Sequence, residues 1–158
     1  MRHKSGVLAA LSGILLFIGA CAPADKVVFV KDDDPEMVAA IAKARATLPL
    51  FWQVFDKHEH GENEFSLKVK ITDHEGTEHF WASDIEKRDG RIWGTITNDP
   101  GIIASVKLGD QIEIPEANIS DWFYMRDGKM VGNRTLVPLL RTLPPKEAAA
   151  YRNLLAEP

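Results

Sequence analysis

From Phe65 to Thr72 the chain alternates strictly: Phe65, Leu67, Val69 and Ile71 are apolar, while Ser66, Lys68, Lys70 and Thr72 are polar. An extended strand sends successive side chains to opposite faces, so this run predicts a sheet with one covered face and one wet face. A single strand cannot bury its apolar face alone, and the following segments must supply partners. Asp73-His74-Glu75-Gly76 reads as a turn, and a second strand follows from Thr77 to about Ser83. Arg88-Asp89-Gly90 closes another connection into a third strand, Arg91 to Thr97. After Asn98-Asp99-Pro100-Gly101 and Leu108-Gly109-Asp110 come a short strand with Ile112 and Ile114 inward and a strand from Ile119 to Met125. The latter turns at Asp127-Gly128, the strongest hairpin signal in the chain.

Helical signals flank the meander. Asp34 has the side chain of an N-cap, Pro35 suits the first helical position and Glu36 the dipole. Met37, Val38, Ile41, Ala44 and Leu48 mark one face, and Pro49 is expected to stop the helix. At the other end, the apolar segment from Leu136 to Leu143 leads through Pro144-Pro145 into an alanine-rich helix with Ala148, Tyr151, Leu154 and Leu155 inward. The expected fold is α+β: an amino-terminal helix, a curved antiparallel sheet of about six strands, and carboxy-terminal helices. Partial closure into a small barrel stays open at this level.

The first twenty residues have the layout of a secretory signal, with Arg2, His3 and Lys4 before an uncharged apolar stretch from Val7 to Ile18. That stretch is shorter than the roughly 20 residues a spanning helix needs. Ile18-Gly19-Ala20-Cys21 then resembles the lipobox of bacterial lipoproteins and contains the only cysteine of the chain. The resemblance implies cleavage before Cys21 and acylation of its thiol, with several acyl chains giving stable anchorage at about 0.8 kcal/mol per buried CH₂. The expected organisation is a signal at 1–20, a tether at 21–33, and one domain at 34–158. Ala22, rather than an aspartate, follows the cysteine, which by the same resemblance implies the outer membrane, facing the periplasm, in a host that has one. The bland alternative is an ordinary cleaved signal with Cys21 discarded or left as a free thiol.

Without residues 1–20 the chain keeps 17 basic and 23 acidic side chains, a net charge of about −6. That balance argues against nucleic acid as a partner. His58, His60, His74 and His79 invite a metal reading, but four exposed histidines beside turns and charged loops account for them equally well, and neither metal nor cofactor is expected. Asp32-Asp33-Asp34 lacks the spacing of a calcium loop. In Ile119-Ser120-Asp121-Trp122-Phe123-Tyr124 an acid stands among large hydrophobes. If it faces inward, Asp121 needs hydrogen-bond partners, from backbone amides or Arg134, or a shifted pKa. Alternation sends Ser120 to the opposite face, against a serine nucleophile assisted by Asp121. Four tryptophans, Trp52, Trp81, Trp93 and Trp122, are available for a groove or a core. Turn and strand signals coincide around Trp81, Asn98, Asp121 and Trp122, which are taken as the candidate binding surface.

Phe80-Trp81, Gly94-Thr95-Ile96-Thr97-Asn98-Asp99-Pro100, Val106-Lys107-Leu108-Gly109-Asp110, Ile119-Ser120-Asp121-Trp122-Phe123-Tyr124 and Gly128-Lys129-Met130-Val131-Gly132 together form a pattern similar to the YegJ-like family of bacterial proteins, domain of unknown function 2314. The resemblance runs from about residue 49 to residue 143 and implies no reaction, catalytic residue or cofactor. Its shared turns, glycines and aromatics suit a binding or interaction role. The leading expectation is therefore a non-catalytic envelope lipoprotein, held on a membrane through Cys21 and facing an envelope protein partner. The alternatives are a small hydrolase using Asp121 as acid or base, and an immunity or inhibitor protein whose acidic surface, from Asp56 to Glu64, blocks a basic target.

Overall fold

The computed structural model describes residues 6–11, 26–31 and 34–158. Cys21, with the rest of the lipobox, and Asp32 and Asp33 lie outside the described residues. The fold is α+β, with helices on either side of a mostly antiparallel, unclosed sheet. Strands β1 (Gly6–Leu11) and β2 (Lys26–Lys31) pair antiparallel, so segments read as signal and tether carry extended backbone here. β1 also lies parallel to β4 (Thr77–Arg88), Leu8 opposite Glu78 and Ala9 opposite His79.

Helix α1 spans Pro35–Lys57. The Asp34 carboxylate accepts from the amides of Glu36 and Met37 at 3.0 Å each and starts it. It runs through Pro49, against expectation, because its apolar stripe continues past the proline. Leu48 and Phe51 are buried, and Trp52, Val54 and Phe55 pack on the same core. Burial of those side chains outweighs the roughly 3 kcal/mol that an interior proline costs. Pro49 has no N–H for the Arg45 carbonyl. One residue earlier the Ala44 carbonyl accepts from the Trp122 indole at 2.9 Å and from the Thr47 hydroxyl at 3.1 Å. Val38, placed on the inner face by periodicity, is half exposed.

The sheet runs β2-β1-β4-β3-β7-β8-β9, with β5 (Arg91–Ile96) continuing along β4, and β6 (Gln111–Glu113) on β5. β3 (Asn63–Thr72) lies between β4 and β7 (Ile119–Arg126). β7 turns into β8 (Lys129–Gly132) through Asp127 and Gly128 at φ 50° and 69°, the doubly left-handed geometry of a two-residue hairpin. After short helical turns α2 (Leu136–Leu139) and residues 140–142, helix α3 (Pro145–Leu154) leads into β9 (Leu155–Ala156), parallel to β8.

One face of the sheet holds the main core against α1, from Phe65, Leu67, Val69, Trp122 and Tyr124. A second cluster, Phe80, Ile96, Ile103 and Val106, sits under the 99–110 loop. The opposite face of β3 was expected to be wet, yet Ser66 and Lys68 are buried. Thr135 of the returning carboxy-terminal segment meets the Lys68 ammonium, and Trp81, Phe123 and Met130 pack there against Leu154 and Leu155.

Candidate functional site

A bulge in the β3–β7 pairing organises the polar interior. Asp121 faces Lys68 and Ile119 faces Val69, leaving Ser120 as the extra residue. The alternation assumed from sequence is therefore broken here. Ser120 gives its hydroxyl proton to the Lys68 carbonyl at 3.2 Å and lies 2.7 Å from Nδ1 of His79.

On the face beneath the carboxy-terminal segment, Asp121 is fully buried and accepts four hydrogen bonds. Its donors are the amide of Trp122 (2.8 Å), the amide of Arg134 (3.2 Å), and the amide and hydroxyl of Thr135 (2.7 Å each). The Thr135 oxygen in turn accepts from the ammonium of Lys68 at 3.0 Å. That ammonium also lies 5.1 Å from the centre of the Trp81 ring. Burial raises the Asp121 pKa, opposed by Lys68 and by the Thr135 and Trp122 donors. Burial pushes the Lys68 ammonium down to about 8, opposed by Asp121. With its acceptor sites occupied and a buried cation close by, this carboxylate holds Arg134 and Thr135 against the sheet; it does not stand open as an acid or base.

Trp81, Asn98, Asp121 and Trp122 are thus interior groups, and none of them offers an exposed face. Asn98 Oδ1 accepts from the Trp81 amide at 2.9 Å, and Thr97 donates to the Trp81 carbonyl, so the turn completes the hydrogen bonding of β4. Trp81 and Asp121 meet through Lys68, whereas Trp122 lies against α1 on the other face. The remaining two tryptophans are half-buried under cations, Trp52 beneath Lys87 and Trp93 beneath Arg88.

Two further carboxylates that sequence reasoning passed over fasten the 99–106 loop. Glu78 accepts from the amides of Gly101, Ile102 and Ile103 at 2.8, 2.8 and 2.9 Å. Asp73 accepts from the amides of Ala104 and Ser105 at 2.9 and 3.1 Å. Burial opposes ionisation of Asp73, but the surrounding donors prevail and bring it to about 2. In the acidic stretch from Asp56 to Glu64, which begins in the last turn of α1, Glu62 is buried against Arg126 (2.8 Å), and Asp56 meets Lys87 at 2.7 Å. Part of that charge is therefore spent inside the fold.

His79, expected to be exposed, is buried. Burial, with Lys68 and Lys70 nearby, lowers its pKa to about 3, so the ring is neutral. It lines a cleft of about 350 Å³ between α1 and the start of β7, together with Ile41, Arg45, Lys70, Ile119 and Ser120. Arg45 is fixed there by one guanidinium nitrogen, which donates to the carbonyls of Ala117 (2.8 Å) and Ile119 (2.7 Å). Among the described residues no three histidine, cysteine or acidic side chains converge, and no helix is long and apolar enough to cross a membrane.

Comparison with known proteins places this architecture in a family. The model of an uncharacterized protein conserved in bacteria, DUF2314, matches residues 34–155. The "Uncharacterized protein YegJ" of Escherichia coli K12 is 41% identical over 120 residues, covering 76% of this chain and 77% of the relative. The "Putative ankyrin repeat protein NMB1133/NMB1171" of Neisseria meningitidis serogroup B is 29% identical over 119 residues, covering 70% of this chain and 47% of that longer protein. No solved structure matches. The domain that carries the bulge, the buried Lys68–Thr135–Asp121 relay and the cleft is the matched region, and the chain belongs to the DUF2314 family.

Proposed function

We propose that this chain is an envelope lipoprotein, anchored through Cys21, whose folded domain is a binding module and not a catalyst. The cleft beside His79 is the observation that carries this reading. It is concave, combines cations and a hydroxyl with apolar walls, and is close to the lower end of the volumes that small-molecule sites occupy. The hydrolase alternative would need Asp121 as a free acid or base, and four donors hold that carboxylate. The inhibitor alternative draws on an acidic stretch whose Asp56 and Glu62 are paired within the fold.

The anchor rests on the signal and on Ile18-Gly19-Ala20-Cys21, and Ala22 favours the outer membrane with the domain facing the periplasm. Intact mass and membrane fractionation of the full-length chain beside Cys21→Ala test it. Acylated mass with membrane retention, both lost in the variant, is the expected result. A soluble, unacylated wild type would overturn the anchor and leave a diffusing protein with the same cleft.

A further inference from the structure

We infer that the cleft receives the phosphoryl group of a small phosphate monoester, with Arg45 and Lys70 as its charged contacts and Ile41 and Ile119 against its organic part. This deepens, and rests on, the reading of the domain as a binding module.

Charge selects the ligand's sign. The chain carries 23 acidic against 19 basic side chains, yet among the described residues no carboxylate lines this cleft. Arg45 and Lys70 make no ion pair with any described residue, and Lys70 is exposed at the rim. Two cations left unpaired in a concavity of an acidic protein attract an anion. Arg45 has one nitrogen held by backbone carbonyls, which fixes the guanidinium while leaving its other donors free. A guanidinium so oriented favours an oxyanion.

His79 selects phosphoryl over carboxylate. The ring is 6% exposed and Ser120 4%, so both belong to the built wall of the cleft. For both contacts of the Ser120 hydroxyl to be hydrogen bonds at once, its single proton goes to the Lys68 carbonyl and the His79 proton sits on Nδ1. Nε2 is then an acceptor with no hydrogen bond to any described residue. A carboxylate at neutral pH has no proton to offer it. A phosphate monoester, with a second pKa of about 6, retains a proton in part of its population and can donate to Nε2 while its other oxygens face Arg45 and Lys70. The donors come from Arg45 of α1 and Lys70 of β3, and the acceptor from His79 of β4, around a group whose oxygens point several ways.

The test is a titration of the purified, ¹⁵N-labelled full-length chain in detergent with phenyl phosphate, benzoate and benzyl alcohol, following the amides of Lys70, His79 and Ser120. Saturable shifts with phenyl phosphate, binding about ten-fold weaker for benzoate, and about ten-fold weaker phenyl phosphate binding in Lys70→Gln at unchanged melting temperature are expected, as for loss of one charge-assisted contact. Benzoate binding as tightly as phenyl phosphate, or an unaltered affinity in Lys70→Gln, would overturn the phosphoryl assignment and leave the binding module standing. No response at these amides to any of the three compounds would overturn both. The same amides responding to vesicles containing phosphatidic acid, but not to phosphatidylcholine vesicles, would identify a lipid headgroup as the source; a response to phenyl phosphate alone would identify a soluble ligand.

Discussion

A carboxylate removed from water is tolerated where fixed donors replace its hydration, and Asp121 is held by three amides and a hydroxyl. An asparagine there turns an NH₂ toward groups that are themselves donors, and leaves Lys68 without its nearby anion. Asp121→Asn is expected to cost about 3 kcal/mol in urea denaturation, the scale for breaking a buried charge pair. His79 sets a pH signature. Its folded pKa of about 3 lies below its ordinary 6.5, so between those values the unfolded chain binds a proton that the folded chain refuses. Stability should therefore rise from pH 3 to 6.5, with Lys68 and Lys70 of β3 and Arg45 of α1 the cations around the ring. His79→Gln should flatten that part of the profile, measured by melting temperature across pH. The need of Asp121 for partners is legible in its setting between Ser120 and Trp122. The burial of Lys68 is not, because its cover comes from residues some 65 positions further along the chain.

Elements whose signals are local follow the sequence closely, and those shaped by distant contacts do not. The Asp34 cap and the Asp127-Gly128 hairpin are read directly from side-chain chemistry and left-handed backbone. Pro49 carries an equally clear stop signal, but the aromatic stripe beyond it overrides that signal, and Trp122 from β7 donates to the helix at Ala44. The bulge at Ser120 has no local marker, which is why the pairing of Ser120 with His79 and the cleft beside them escape a reading by alternation. At the end of β8, Gly132 has φ +100°, and a Cβ there would stand 2.4 Å from the Trp122 carbonyl. Gly132→Ala is expected to cost roughly 3 kcal/mol by chemical denaturation, from left-handed strain and the displaced strand together. The conformational requirement of that glycine is invisible in sequence except through the pattern shared with its family.

For the whole molecule, residues 155–157 cover one side of β8. β9 covers the outer side of β8, Met130 opposite Leu155 and Val131 opposite Ala156, and Glu157 forms a two-pronged pair with Arg134. Removing residues 155–158 uncovers a strand edge and leaves the Arg134 guanidinium unpaired. The truncated chain should be destabilised by about 2 kcal/mol and should self-associate with rising concentration, checked by melting temperature and sedimentation. The antiparallel meander and the α+β class are legible from strand spacing and hairpin turns. The parallel β9 is not, because two residues at the end of a helix carry no strand signal of their own.

The cap of α1 has one more consequence. Arg141, in the turn after α2, binds both Asp34 and Glu36, the first residues of the domain after the segment leading from Cys21. If cleavage before Cys21 removes β1 and leaves that segment as a leash to a membrane, a tug on it enters the domain at this clamp. The load is shared at once between α1 and the carboxy-terminal wrap, instead of peeling the first turn of the helix away by itself. The ion pairs at Arg141 would then act as strain relief for the cleft beside Arg45, about two and a half turns beyond Glu36 along the same helix, while the domain is pulled.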